Sequence, residues 1–412
     1  MTTLRQWVHE TAGGLPRQFW YVWATTLINR VGSFVLVLLA IYLTTERGLS
    51  AAFAGFVIGL WAAGGAVGAM VGGVLADRWG RKPTMLTSLY GSAALMLVLG
   101  QMRTPLAIAV ATFVLGMFSD GLRPATSALM VDVVPAPDRA RAFSLNYWVI
   151  NVGFAVASTA AGFLAGVDMG LLFVVDAATT LAAAVWVTFK IAEPVRAEAP
   201  PPVGSVAGEG LAAVLRDRVF LAFVGVNFLV ALVFLQHIST LPISMTRDGL
   251  SASTYGAVIA INGVVIVLGQ IFVTRVLRRA DDIAALAVAC VLVGVGFGLT
   301  AFATVPWHYA VSVLVWTLGE MLQAPINSTT TAGLSPAHLR GRYQGVFTLS
   351  WAVAGFLAPL VGGFVLEHGG KATLWVGCLV LCLVAAALHV AARGGRARRT
   401  AELATPAEAA LT

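Results

Sequence analysis

The stretch Gly72-Gly73-Val74-Leu75-Ala76-Asp77-Arg78-Trp79-Gly80-Arg81-Lys82-Pro83 closes one apolar run, about 52–76, and opens another, about 83–102. Each run has the roughly 20 apolar residues that cross a bilayer. Between them one acid and three bases fill a tight turn, which reads as a short polar loop joining two membrane helices. Gly72 and Gly73 permit close helix approach. Asp77 is placed to face a helix N-terminus, whose dipole favours an anion. Arg78, Arg81 and Lys82 suit the anionic inner leaflet.

The same texture extends outward along the chain. Of 412 residues, 58% are hydrophobic and 11% charged, with a mean hydropathy of +0.86, whereas a soluble domain carries roughly 25% charged residues. Such a chain cannot clothe a water-exposed surface, so lipid supplies most of its solvent. Spans are predicted at about 18–45, 52–76, 83–102, 105–134, 142–166 and 169–191, then 219–246, 252–276, 283–305, 308–333, 343–367 and 372–392. The expected architecture is an all-α polytopic membrane protein: a six-helix bundle over 1–192, a linker over 193–218, a second bundle over 219–392 and a basic tail over 393–412. The linker contains Pro200-Pro201-Pro202, and Gly210 to Arg218 suits a short surface helix. The start, Met1 to Pro16, lacks the pattern of a cleavable signal and reads as either a disordered tail or an interfacial helix through Leu4, Trp7 and Val8.

Twenty of the 26 basic residues fall on one side of these spans, four (Arg47, Arg103, Arg247 and Lys371) on the other, and two (Arg30 and Arg123) within spans. The positive-inside rule then predicts both termini in the cytoplasm and accounts for the net charge of +7 without a nucleic-acid partner. Cys290, Cys378 and Cys382 lie in apolar runs without acidic or histidine companions and read as packing residues. No metal site or cofactor is expected.

An offset of 201 lays one half of the chain over the other. Pro124 meets Pro325, Ser127 meets Ser328, Pro135-Ala136 meets Pro336-Ala337, Arg139 and Arg141 meet Arg340 and Arg342, and Gly162-Phe163 meets Gly363-Phe364. Parallel repeats of this kind place a substrate site near the bilayer midplane.

The Gly72–Pro83 stretch closely resembles the signature loop between the second and third helices of the major facilitator superfamily. The resemblance implies that family's fold of twelve transmembrane helices in two six-helix pseudo-repeats. It also implies a conformational latch built from Gly73, Asp77, Arg78, Gly80, Arg81 and Lys82, with Asp77 and Arg81 central. The equivalent stretch of the second half, Arg275 to Asp282, is degenerate. The fifth span resembles the family's antiporter motif at Gly153 and Gly162, with Ala157-Ser158 in place of its Gly-Pro; the eleventh retains Gly355, Ala358-Pro359 and Gly362-Gly363. Trp316 to Met321, Ser335-Pro336 to Gly345, Asp132 and Asn146 to Asn151 are similar to proton-driven multidrug exporters of the LmrP and MdtH type. That resemblance implies a bacterial cytoplasmic membrane protein that works as a monomer on protons and a small-molecule substrate.

Ionisable groups inside spans cost roughly 2.5–3.5 kcal/mol each on insertion scales and mark function by default. Glu320 sits mid-way along the tenth span, with Gln323 and Asn327 continuing its face. It is the leading candidate for proton coupling, with a static partnership to Arg30 as the competing reading. Asp120 and Arg123, three residues apart in the fourth span, either neutralise each other or leave Asp120 to carry a proton. Asp132 is either protonation-sensitive, as the resemblance implies, or salt-bridged to Arg81 or Arg78. Asp176 is a weaker candidate that either snorkels or meets a neighbouring helix. His237 reads as a packing histidine before a proton carrier. Asn29, Tyr147, Trp148, Asn151, Asn262, Trp316, Gln323 and Asn327 are candidates for a substrate cavity, with polar glue and aromatic packing as the plainer alternative. Asn227 and Gln236 point in opposite directions on an ideal helix, so both are not expected to face one cavity.

The function these residues imply is proton-coupled export of amphipathic small molecules. A proton-coupled importer of peptides is disfavoured, because Thr26, Asn29 and Arg30 stand where peptide symporters carry Glu-x-x-Glu-Arg. A non-transporting sensor or assembly partner would usually carry an added soluble domain. No phosphate-binding loop and no clustered nucleophile and base suggests an enzyme.

Overall fold

The computed structural model describes residues 13–194, 211–277, 281–336 and 339–408. The Leu4, Trp7 and Val8 segment, the Pro200-Pro201-Pro202 stretch, Arg278, Arg279 and Ala337 lie outside the described residues. Among those described, the regular structure is helical throughout. In the first half the helices are α1 (Arg17–Val31), α2 (Phe34–Ile41), α3 (Ala51–Arg78), α4 (Arg81–Gln101), α5 (Pro105–Val133), α6 (Arg139–Ala165) and α7 (Gly170–Lys190). The short α8 (Leu211–Arg216) precedes α9 (Arg218–Phe234), α10 (Gln236–Arg247), α11 (Ala252–Leu277), α12 (Asp282–Leu299), α13 (Pro306–Gly333), α14 (Arg340–His368), α15 (Gly370–Ala391) and α16 (Arg393–Glu408).

Two expected spans are broken. The first bends at Gly32-Ser33 between α1 and α2, and continues from α2 into a π-turn over Tyr42–Glu46. The seventh bends at Leu235 between α9 and α10. Among the described residues, eleven of the expected twelve stretches are both long enough and apolar enough to cross a membrane. The remaining one, α13, has 28 residues and carries Glu320, Gln323, Asn327 and a Ser/Thr-rich end. Pro124 and Pro325, paired by the repeat, both sit inside their helices. Starts follow local chemistry. Pro105 occupies the first turn of α5 behind the Thr104 cap, and Asp217 caps α9 by accepting the Phe220 N–H at 3.0 Å.

Contacts divide the chain into two units. One comprises 1–48, 60–197 and 251–267; the other comprises 49–59, 198–250 and 268–412. Within the first, α4 packs on α5 and α7; within the second, the repeat-related α12 packs on α13 and α15. Small residues bring α3 against α5. A Cβ on Gly68 would stand 2.0 Å from the Met117 carbonyl oxygen, and one on Gly72 2.5 Å from that of Gly121. Gly73 makes no such approach, since the nearest atom to its Cβ position is 3.9 Å away. In the second unit α16 folds back on the bundle. Arg399 pairs with Asp217 at 3.1 Å, Tyr343 donates to the same carboxylate, and Arg396 contacts His389 Nδ1 at 2.7 Å. Burial of Arg396 lowers its guanidinium below the usual value.

Candidate functional site

The signature loop is a closed polar knot. Gly80 turns the chain with φ +120°, a conformation that favours glycine. Arg81 then reaches back, donating from Nε to Asp132 at 2.9 Å and from Nη1 to the Ala76 carbonyl at 2.7 Å. It also pairs with Asp77 at 3.2 Å. Of the two partners weighed for Asp132, the structure places Arg81 in contact. Glu193 serves as an anion at the α4 N-terminus, accepting the Arg81 and Lys82 backbone N–H groups at 2.7 Å each. Glu193 follows α7, and a Cβ on Gly80 would strike its carboxylate at 2.4 Å. Lys82 donates to the Thr188 carbonyl near the end of α7 at 2.8 Å, so it ties two helices together as well as adding to the surface charge. Arg78 remains exposed.

A second constellation lies inside the first unit. Arg123 and Asp120 form an ion pair at 3.7 Å, and Arg30 lines the same cavity as Arg123. Asp120 packs against Gly65, whose absent side chain leaves room for the carboxylate. A cavity of about 40 Å³ lined by Asn29, Arg30, Arg123, Asp176 and Thr180, with Ser88 and Ser92 from α4, opens beside this pair. Asp176 is 2% exposed. It accepts the Val35 backbone N–H at 3.0 Å and the Thr180 hydroxyl at 3.5 Å, so of its two expected fates it meets a neighbouring helix.

In the second unit Glu320 is half-buried midway along α13. Gln323 and Asn327 are buried, and Gln323 donates to Asn227 Oδ1 on α9 at 3.3 Å. Trp316 is fully buried, stacked on Phe297 with ring centroids 5.4 Å apart and 5.5 Å from the His237 ring. The His237 Nδ1 lies 2.6 Å from the Phe234 carbonyl. Gln236 donates to the Ala358 carbonyl at 2.8 Å. Because the seventh span bends at Leu235, the ideal-helix geometry that set Asn227 and Gln236 on opposite sides does not apply to them. In the first unit Tyr147 and Trp148 are exposed on α6. Asn151 is buried and donates to the Tyr147 carbonyl at 2.9 Å, and Asn262 is buried on the first-unit part of α11. The sequence reading missed Glu193 and the capping role of Asp176. The only local hint was an acid two or three residues past an apolar run in one case and an acid inside a run in the other.

Comparisons with known proteins agree with this architecture. A family model described as Major Facilitator Superfamily matches residues 22–359. The chain is 29% identical over 378 residues to the uncharacterized MFS-type transporter YttB of Bacillus subtilis, covering 90% of this chain and 94% of that protein. It is 23% identical over 357 residues to a Na(+), Li(+), K(+)/H(+) antiporter of Planococcus maritimus, covering 79% and 84%. It is 24% identical over 362 residues to the multidrug resistance protein MdtH of Escherichia coli, covering 83% and 85%.

Proposed function

The chain belongs to the major facilitator superfamily, and from that premise we propose that it is a proton-coupled secondary transporter that exports amphipathic small molecules by alternating access. The observation that carries this reading is the set of carboxyl groups held within helices: Glu320 midway along α13, Asp120 beside Arg123 on α5 and Asp132 against Arg81. An ionisable carboxyl within a membrane span marks function by default. Alternating access then exposes it to one side at a time. Glu320 is the principal carrier. Asp132 couples the proton to the loop, because protonation removes the charged acceptor that Arg81 holds. Export, a multi-pass placement with both termini in the cytoplasm, and function as a monomer complete the proposal. The relative MdtH supports multidrug export.

The test is ethidium accumulation by inverted vesicles under an imposed ΔpH. Glu320→Gln is expected to abolish accumulation at unchanged expression, and unaltered ΔpH-driven accumulation removes Glu320 from the mechanism. A second reading, exchange of monovalent cations for protons, is favoured by the Planococcus maritimus relative. Collapse of the vesicle ΔpH by added Na⁺ or K⁺, without ethidium transport, selects it.

A further inference from the structure

At the break in the first span, α2 begins without a cap of its own. Ser33 stands at the N-cap position but makes no side-chain cap; its hydroxyl donates backward to the Asn29 carbonyl at 3.1 Å. The acceptor that a helix N-terminus needs comes from another helix, where Asp176 of α7 takes the Val35 N–H. No ion pair to Asp176 is present among the described residues. Its carboxyl is buried, yet it lines the 40 Å³ cavity, large enough for a water molecule with several polar partners.

The charges around that cavity are few. Arg30 comes from α1, Arg123 and its partner Asp120 from α5, and Asp176 from α7, while α4 contributes only Ser88 and Ser92 as polar groups and α6 contributes nothing to the lining. With Asp176 ionised, two guanidinium groups face two carboxylates. With Asp176 protonated, the same region carries one net positive charge, and the α2 cap is reduced from a charge-assisted bond to a neutral one of roughly half the strength.

We propose that Asp176 is a proton-binding site whose occupancy sets how firmly α2 is held at the break and whether the first unit accepts a cation. The proton passes from cavity water to a carboxylate oxygen; one O–H bond forms, one breaks, and the Val35 N–H is left with an uncharged acceptor. This inference rests on the proton-coupled reading and adds to it a site in the half of the chain opposite Glu320. It also gives the cargo a charge class: a cationic substrate and a proton exclude each other here.

The experiment uses the full chain in lipid nanodiscs. Amide exchange at Val35, corrected for the intrinsic pH dependence of exchange, is followed across pH in the wild type, Asp176→Asn and Glu320→Gln. Asparagine keeps an oxygen to accept the Val35 N–H but cannot titrate. In the wild type, exchange is expected to quicken about tenfold as Asp176 takes its proton. Asp176→Asn is expected to give a flat profile and to lack one protonated-carboxyl band in the infrared difference spectrum between low and high pH. A pH-independent wild-type profile, or an infrared spectrum that Asp176→Asn leaves unchanged, overturns the proposal; the wild-type profile decides even if the variant folds poorly. Glu320→Gln separates the two claims, because its Val35 profile should match the wild type even where its ΔpH-driven ethidium accumulation is lost. If ethidium accumulation survives in Glu320→Gln while the Val35 profile still titrates, the role of Glu320 fails and the Asp176 site stands.

Discussion

At Gly32 the first span turns with φ −91° and ψ 0°; at Leu235 the seventh turns with φ −70° and ψ −4°. The repeat offset places Gly32 against Val233, two residues before the second bend. The first turning residue is similar at both bends, but the first bend adds a second non-helical residue, Ser33 (φ −76°, ψ 61°), where the second resumes helix at Gln236, and the surroundings differ. At the first bend α7 crosses so closely that Thr179 occupies the space of a side chain on Gly32, and an ionisable carboxyl takes the freed N–H. At the second, leucine fits; Gln236 donates to Leu232 and Ala358 and accepts from Thr240, and the His237 ring contacts the Phe234 carbonyl. Two copies of one fold have thus placed a carboxyl on a backbone N–H at one hinge, and an amide and an imidazole on backbone carbonyls at the other.

The largest expected effect follows from the space at the first bend. Glycine stands there for room, since its φ is negative and open to any residue. Gly32→Ala brings a Cβ to 1.8 Å from the Thr179 hydroxyl oxygen and 2.5 Å from its Cβ, a clash with atoms close to the α7 backbone. Overpacking of this kind costs about 3 kcal/mol and is expected to lower the thermal unfolding midpoint in detergent more than any other change considered. Leu235→Ala, which only removes bulk at the second bend, should leave the bend intact; equal losses at both sites would erase the distinction.

Placing a carboxyl at the seventh-span bend is the next step. Gln236→Glu removes the two N–H donations at neutral pH and sets a negative charge against two carbonyls, at a cost of about 2 kcal/mol. The sign of the pH dependence follows from the charge. As an acid the new side chain can donate its O–H to one of the two carbonyls, whereas as a carboxylate it repels both, so the deficit shrinks as falling pH puts a proton on the carboxylate. Thermal melts across pH should therefore show the variant recovering on acidification relative to the wild type. A pH-independent deficit would mean that the loss comes from the missing amide donors and not from the carboxylate charge.

Much of this was legible in the chain. The expected fourth span, 105–134, matches Pro105–Val133, and the eleventh, 343–367, lies within Arg340–His368, because a run of apolar residues that long has one way to satisfy its backbone in lipid. The pairing of Asp120 with Arg123 was readable from their spacing, and Arg81 was among the partners weighed for Asp132. The bends were not read. Gly32-Ser33 carries a sequence hint of a kink, but Leu235 lies in unbroken apolar sequence. Nor could spacing reveal Glu193 on Gly80 or Asp176 on Val35, since both contacts join segments more than a hundred residues apart. Such contacts are fixed by which helices pack side by side, not by either helix's own pattern.

The ends of the third and ninth spans extend the comparison and set its smallest effects. In the first half, Glu193, just past α7, accepts two N–H groups at the start of α4. In the second half, Arg393, just past α15 and one residue short of the repeat-equivalent position, pairs at 3.2 Å with Asp281 at the start of α12. The contact recurs with its charges exchanged: an incoming acid serves the helix N-terminus in one copy, and an incoming base holds the helix's own acid in the other. The two should differ in strength. Glu193 makes paired charge-assisted bonds to a helix start, so Glu193→Ala is expected to cost about 1 kcal/mol. The Arg393–Asp281 pair is solvent-exposed on both sides, where ion pairs are worth a few tenths of a kcal/mol and are screened by salt; Arg393→Ala should barely move the melting midpoint. Raising the ionic strength should erase what little the second pair contributes and leave most of the first, because directed hydrogen bonds to backbone N–H groups survive screening better than a loose surface pair. If both variants melt alike at low and high salt, the charge-reversed contacts are equivalent, and the tighter closure assigned to the first-half loop loses its physical basis.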